Sequence, residues 1–347
     1  MNVRSATAAP ADEAFTPAEP LDDFARDVRE TLSAQPRRLS PRHLYDPLGS
    51  ALFDAICRLP WYRITRAEIR LLRRHAAAIL AGGATGARPA AEVVELGPGN
   101  GEKVAALLSA ARLSRRTLVH LIDISPAALT DAAHKLRDIE HVDVTTHAAR
   151  FVTGLRSLGE GAPARAGNGH GDQTPDDAGR LVLFLGSNIG NFEPATADEV
   201  LREVRAALGP GDTFLIGTDL VKPERDVLLA YDDPLGVTAA FSRNVLVRLN
   251  RELGANFDVS AFRHVASWHP EPARVEIHLE SLRDEHISIP GAELEFDMAA
   301  GESIWTESSY KYEPAGVRAM LARAGFSPRA QWVDDDARFA LTLAGAN

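Results

Sequence analysis

Three glycines at alternate positions, set between a strand-like run and a helix-like run, limit the fold of this chain more than any other feature. The stretch is VVELGPGNGEK (93–103), with glycine at Gly97, Gly99 and Gly101. Glycine tolerates the backbone angles of a very tight turn, and with no side chain it lets a ligand approach backbone N–H groups closely. The surrounding sequence alternates in the same sense. TRAEIRLLRRHAAAIL opens with Thr65 and Glu68 in capping-box spacing and reads as a helix. AEVVEL (91–96), TLVHLID (117–123), LVLFLGS (181–187) and TFLIGTD (213–219) read as buried strands. SPAALTDAAHKL (125–136) has Ser125 at a helix cap and Pro126 at the first helical position. Strands alternating with helices predict a parallel sheet covered on both faces.

Two nucleotide ligands compete for such a loop. A nicotinamide dinucleotide calls for G-x-G-x-x-G with a pyrophosphate at the helix start. Here the third glycine comes one position early, and the acidic Glu95 stands two before the first. That arrangement resembles the first motif of class I methyltransferases, which use S-adenosylmethionine; a purely structural turn is the third reading. Asp123 ends the next strand, where an acidic side chain commonly accepts ribose hydroxyls.

Composition narrows the partners. With 38 Lys and Arg against 48 Asp and Glu, and a net charge of −10, the chain lacks the basic footprint of a nucleic-acid binder. Cys57 is its single cysteine, which excludes disulfide frameworks and thiolate zinc sites. No stretch has the apolar core of a signal peptide or the roughly 18 apolar residues of a membrane span. We therefore expect a cytoplasmic monomer. None of the 11 histidines has metal-ligand spacing, so no metal is expected; His264, Trp268 and His269 read as a polar loop. Gly186 and Ser187 lack the G-x-S-x-G context of a hydrolase.

Residues 1–20 read as disordered and 159–180 as a long loop insertion. After Tyr231 the pattern changes to a helix followed by strands of alternating polarity, closing with a helix and RFALTLAG, which reads as a second, α+β unit. In GESIWTESSYKYEP (301–314), Glu307 and Ser309 leave one face of an extended run together. A carboxylate beside a hydroxyl could hold a small N–H-bearing ligand or form a wet outer face.

Five segments together carry a wider resemblance: LYDPLGSALFDAICRLPWYRITRAE (44–68), ELGPGNGEK, LGSNIGNF (185–192), TDLVKPERDVLLAYDDPLGVTAAF (218–241) and GESIWTESSYKY. In this order, over roughly 20–345, they resemble the histidine Nα-methyltransferases of ergothioneine biosynthesis, which trimethylate the α-amino group of L-histidine to hercynine. The resemblance implies a class I methyltransferase Rossmann-like sheet at 65–221 and a smaller α+β substrate domain formed by 21–64 and 222–347. It implies S-adenosylmethionine at Glu95, Gly97, Gly99, Gly101, Lys103, Asp123, Ser125 and Phe151. It also implies substrate carboxylate at Asn191 and Tyr231, imidazole at Tyr62, Glu307 and Ser309, and Tyr45 as the catalytic group near the amine.

The chain departs from the family's pattern in three places. Arg150 stands before Phe151 where an adenine-binding aspartate is usual. Trp61 and its neighbours alter the flank of Tyr62. Ile277 replaces a methionine that often lines the pocket. The last two keep a different amino-acid substrate in view. A catalytically silent protein that binds S-adenosylmethionine or an amino acid is the alternative from another class.

Overall fold

The computed structural model describes residues 21–83, 89–160 and 179–346. The expected disorder at 1–20 and the body of the expected loop at 159–180 lie outside them. The chain begins with α1 (Leu21–Ser33), α2 (Pro47–Arg58) and α3 (Ile64–Leu80). It then alternates through β1 (Ala90–Leu96), α4 (Glu102–Ala111), β2 (Thr117–Asp123), α5 (Pro126–Leu136), β3 (Val142–Ala148), α6 (Phe151–Glu160), β4 (Gly179–Phe184), α7 (Pro194–Ala206) and β5 (Thr213–Asp219).

These strands form a seven-stranded sheet in the order β11-β12-β5-β4-β1-β2-β3, the last two chain elements, β11 (Phe326–Asp334) and β12 (Phe339–Ala346), completing one side. β1 to β5 pair in parallel, and β12 is antiparallel to both neighbours. Alternate residues of one strand enter different cores, as a period of two requires. Val93, Leu183 and Leu215 pack with Leu72 of α3 and Leu107 of α4. Val94, Val182 and Ile216 face the opposite side, with Leu155 of α6 and Leu201 of α7. This is the covered parallel sheet of a class I Rossmann-like fold. The order reverses between β1 and β4, so the ligand crevice belongs at their C-terminal ends.

The remaining segment holds α8 (Glu224–Tyr231), α9 (Val237–Leu253), β6 (Phe262–His269), β7 (Arg274–Ser281), β8 (Glu285–Ile289), β9 (Leu294–Met298), β10 (Ser303–Tyr310) and α10 (Pro314–Arg323). β10, β7 and β6 make a three-stranded antiparallel sheet, and β8 and β9 a hairpin. The N-terminal segment is fastened to this unit through Asp46. Its carboxylate caps α2 at Gly49 N and accepts from Asn244 Nδ2 (2.6 Å) and Arg251 (2.7 Å) of α9.

Three expectations are corrected. The expected substrate domain, 222–347, ends early: α10, β11 and β12 return to the large sheet. Every residue of β12 is buried, the signature of an interior strand, and Val317 and Leu321 of α10 join the core on the α7 side. The supposed polar loop at His264, Trp268 and His269 is strand β6, its residues in unbroken antiparallel register with β7. The capping box at Thr65 and Glu68 does not form: α3 starts at Ile64, with Arg63 at its N-cap position and no side-chain cap. Glu68 is instead wholly buried, accepts Gly186 N–H at both oxygens (2.9 and 3.0 Å) and pairs with Lys103 (3.1 Å).

Glu68 can occupy that place because β5 has glycine at 217, where a Cβ would run into its carboxylate and approach the Phe339 ring. Gly217→Ala is therefore expected to lower unfolding stability by about 2–3 kcal/mol, as overpacking does. An unchanged urea midpoint would refute that packing.

Candidate functional site

The loop after β1 and the loop after β4 meet where the sheet order reverses. A Cβ on Gly97 would crowd Asn188 Nδ2 at 3.0 Å and the Phe151 ring at 3.2 Å, so glycine lets the three segments close on one another. A Cβ on Gly99 would meet nothing within 4 Å, which leaves that part of the loop open to a ligand. Gly101 starts α4 with φ +73° and lies against the backbone of Ala132. Asp123, at the end of β2, accepts Ser125 N–H at 2.9 Å. Burial raises its carboxyl's pKa, with the backbone N–H groups of Ser125 and Gly99 working against that shift. The Ser125 hydroxyl is committed to the cap of α5, where it accepts Ala128 N–H. Phe151 stands edge-on to Phe184 at 5.4 Å, and Arg150, just before it, is exposed.

Glu95 carries the strongest local charge constraint. Its side chain is fully buried, and neither oxygen has a hydrogen-bond partner among the described residues. Burial pushes its pKa up to about 8, with Lys103 opposing the shift and Glu68 adding to it. An unsatisfied buried carboxylate beside an open glycine loop, with an acidic strand end next to it, fits a ligand that is a nucleoside and also carries positive charge. Lys103 is turned inward to Glu68.

A second group of side chains lies across from this crevice. On β10, Glu307 faces Ile277 of β7, and Ser309 faces Val275. Ile277 and Val275 pack with Val227 and Tyr231 of α8, so Glu307, Ser309, Ile277 and Tyr231 share one face. The Tyr231 hydroxyl lies 2.7 Å from Ser309 Oγ. His264, held neutral by burial, donates Nε2–H to the Tyr231 carbonyl at 2.8 Å and fixes that end of α8. Glu307 is half-buried, and its carboxylate makes no hydrogen bond among the described residues. Burial raises its pKa to about 7, against the attraction of Lys311.

An aromatic row connects this face with the N-terminal helices. The rings of Tyr62 and Tyr231 are 6.4 Å apart, Phe53 and Tyr62 6.2 Å, and Tyr45 and Phe53 5.6 Å. Burial drives the Tyr45 phenol well above its usual pKa, and Glu307 adds to the shift. Tyr45 is thus a neutral hydrogen-bonding group at ordinary pH. Asn191 ends the short helical turn Asn188–Asn191 after β4; its side chain makes no hydrogen bond among the described residues, and α7 is not capped by it. Gly190 beside it lies so close to β10 that a Cβ would meet Tyr310 O at 2.8 Å. A cavity of about 30 Å³ is lined by Tyr231 together with Trp61, Tyr62, Arg63, Asp219 and Lys222.

The family described as "Histidine-specific methyltransferase, SAM-dependent" matches residues 24–346. This chain belongs to that family. Its methyl donor is S-adenosylmethionine, in keeping with the charge and openness of the Glu95 crevice. It is 41% identical over 323 residues to a histidine N-alpha-methyltransferase of Mycolicibacterium smegmatis, across 92% of this chain and 94% of the relative. It is 39% identical over 322 residues to one of Mycobacterium tuberculosis, with the same coverage. An L-tryptophan methyltransferase of Psilocybe serbica is 26% identical over 333 residues, across 90% of this chain and 89% of the relative.

Sequence reasoning missed several charged groups that the structure places beside these candidate residues. Glu68 was hidden behind an apparent capping box. Lys311 continues the two-residue alternation of Glu307 and Ser309, which is the signal that could have found it. Asp219 ends β5 as Asp123 ends β2, and it binds both Lys222 (2.6 Å) and Lys311 (3.1 Å).

The Glu95 pKa yields a prediction with a definite sign. The raised value means that the charged form is penalised in the folded protein. Its cost to stability grows as pH rises from the ordinary glutamate value of 4.5 towards about 8, then levels off. Ligand-free Glu95→Gln should gain melting temperature relative to the unsubstituted protein over that range. Parallel melting curves from pH 5 to pH 9 would contradict the assignment.

Proposed function

We propose that this protein trimethylates the α-amino group of L-histidine to hercynine, as a cytoplasmic monomer. The observation that carries the substrate assignment is Glu307, a half-buried carboxylate without a hydrogen-bond partner among the described residues. It lies opposite Ile277 and two positions from a Ser309 hydroxyl linked to Tyr231. Such a group is suited to an N–H donor on a small ligand, and an imidazole offers one.

In this reading Glu307 and Ser309 bind the imidazole edge, Tyr62 and Ile277 border the ring, and Asn191 and Tyr231 hold the carboxylate. Glu95, Gly97, Gly99, Gly101, Asp123, Ser125 and Phe151 form the nucleotide side, with Lys103 tuning Glu95. When bound, S-adenosylmethionine supplies an electrophilic methyl group on a sulfonium. The chain's task is then mainly orientation: holding both ends of the amino acid fixes the α-nitrogen, whose lone pair must point at the methyl carbon from about 3–3.5 Å. The amine reacts in its neutral form, and each transfer before the last leaves a nitrogen that must shed a proton to solvent before the next. Tyr45, a neutral phenol, supplies a hydrogen bond near that nitrogen and is not a phenolate base. Ile277 and the tryptophan-methylating relative motivate a second reading, methylation of another aromatic amino acid.

Incubation with S-adenosylmethionine and an equimolar amino-acid mixture, read by mass spectrometry, separates these readings. The expected result is histidine gaining three methyl groups and no other amino acid changing. A different methylated product would transfer the assignment to that amino acid and make Ile277 and Trp61 the residues to vary. Glu307→Ala should raise the histidine KM by about 30-fold or more while S-adenosylmethionine affinity holds, because a ligand N–H loses its charged acceptor. Asp123→Ala should do the reverse, weakening the methyl donor about tenfold. Calorimetric titration of each variant with each ligand checks the pair, and equal effects on both ligands would overturn the division of roles.

A further inference from the structure

Lys311, the residue that follows β10, has a wholly buried side chain, and nothing in the proposed reaction has yet required it. Its ammonium group has three hydrogens and three acceptors. Nζ lies 2.8 Å from Tyr231 Oη, 2.8 Å from Ser309 Oγ and 3.1 Å from Asp219 Oδ2. An ammonium has three donors and no acceptor, so this set is complete and leaves Lys311 nothing to offer a ligand.

The consequence falls on the two hydroxyls. Tyr231 Oη and Ser309 Oγ each accept from Lys311, and they lie 2.7 Å from each other. One of their two hydrogens must lie between them. Only the other remains to point outward. We propose that Lys311 is a positioning residue for substrate binding, holding Tyr231 and Ser309 as a joined pair that presents a single outward hydrogen to the amino acid. The pair then acts as one donor for one acceptor on the ligand. The phenol is the more acidic hydroxyl and the better donor, so the outward hydrogen belongs to Tyr231 and is directed to the substrate carboxylate. Ser309 donates to Tyr231 and faces the ligand as an acceptor. Asp219 balances the charge that makes this possible: without it, a buried ammonium would be strongly disfavoured. Lys222, bound to the other Asp219 oxygen and to Ala337 O, fixes the orientation of that carboxylate.

This inference rests on the histidine reading above, so wild-type turnover is measured first. Absence of histidine methylation by the unsubstituted protein sinks that reading and is seen before any variant is made. Lys311→Met is then compared with Tyr231→Phe and with the double variant. The expected result is a histidine KM at least 30-fold higher in Lys311→Met, an unchanged S-adenosylmethionine affinity, and a smaller loss in kcat. The double variant should be no worse than about threefold beyond the poorer single one, because both substitutions disable the same pair. An unchanged histidine KM in Lys311→Met overturns the proposal, and so do independent, multiplying effects.

Should Lys311→Met fail to bind S-adenosylmethionine, Lys311→Met with Asp219→Asn removes both charges together, and the same limits apply. A measurement on the wild type needs no variant. With 15N-labelled lysine, a completed three-acceptor shell predicts an ammonium resonance protected from solvent exchange and moved by histidine. An ammonium spectrum with no protected resonance would count decisively against it.

Discussion

Asp219 holds the two sheets of this molecule in register, because four of its polar atoms each bond a different group. Its N–H donates to Ser187 Oγ in the loop after β4, and its carbonyl accepts Tyr312 N–H just past β10. One carboxylate oxygen takes Lys222, ahead of α8, and the other takes Lys311. The residue is almost fully buried, at 3% exposure, so none of these bonds is shared with bulk water. Removing one member of such a pair costs far more than a surface ion pair would, about 3–5 kcal/mol, because the other charge stays buried alone. The mouth of the parallel sheet and the end of β10 are therefore tied together at one residue, and β12, in register with Asp219 through Phe339, braces it from the other side.

Two carboxylates make no hydrogen bond among the described residues: Glu95, fully buried on β1, and Glu307, half-buried on β10. In each case burial raises the pKa and a single lysine opposes it, Lys103 for the one and Lys311 for the other. The lysines are themselves committed, to Glu68 and to Asp219. Each carboxyl thus feels a fixed positive charge that only partly offsets its burial, and a donor or cation brought by a ligand would favour its ionised form. This is an electrostatic arrangement suited to two ligands that both bring N–H groups or positive charge.

The large sheet was legible in sequence because its signals are local. β5 and β2 have their expected bounds, and Ser125 and Pro126 start α5 where the cap chemistry places them. The smaller unit was less so. FRHVASWH carries histidines, serine and tryptophan on a strand whose pairing, not its composition, makes it β6. β12 was recognised as a strand and misassigned, since a wholly buried strand looks the same wherever it pairs, and its antiparallel place beside β5 is a property of topology. Glu68 shows the limit from another direction: a local cap and a long-range buried acceptor have the same residue type, and burial against Gly186 and Gly217 decided between them. The candidate site residues were named through the family resemblance, whereas the pairing of Asp219 with Lys222 and Lys311, and of Glu68 with Lys103, is visible only once the chain is folded.

Methyl transfer requires that the cofactor crevice and the amino-acid pocket keep their separation to within a fraction of an ångström. Helix α2 is built to do this, because consecutive residues serve the two sides. Phe53 enters the aromatic row with Tyr45 and Tyr62, while Asp54 accepts Asn100 Nδ2 from the glycine loop at 3.0 Å. Asn100 in turn accepts Glu102 N–H at the start of α4. The helix is itself capped and clamped to α9 by Asp46. The glycine loop and the Tyr45–Tyr62 aromatic row are therefore tied to adjacent residues of one helix. The N-terminal segment, which among the described residues contributes no strand to the large sheet, in this way joins that sheet's glycine loop to the aromatic row.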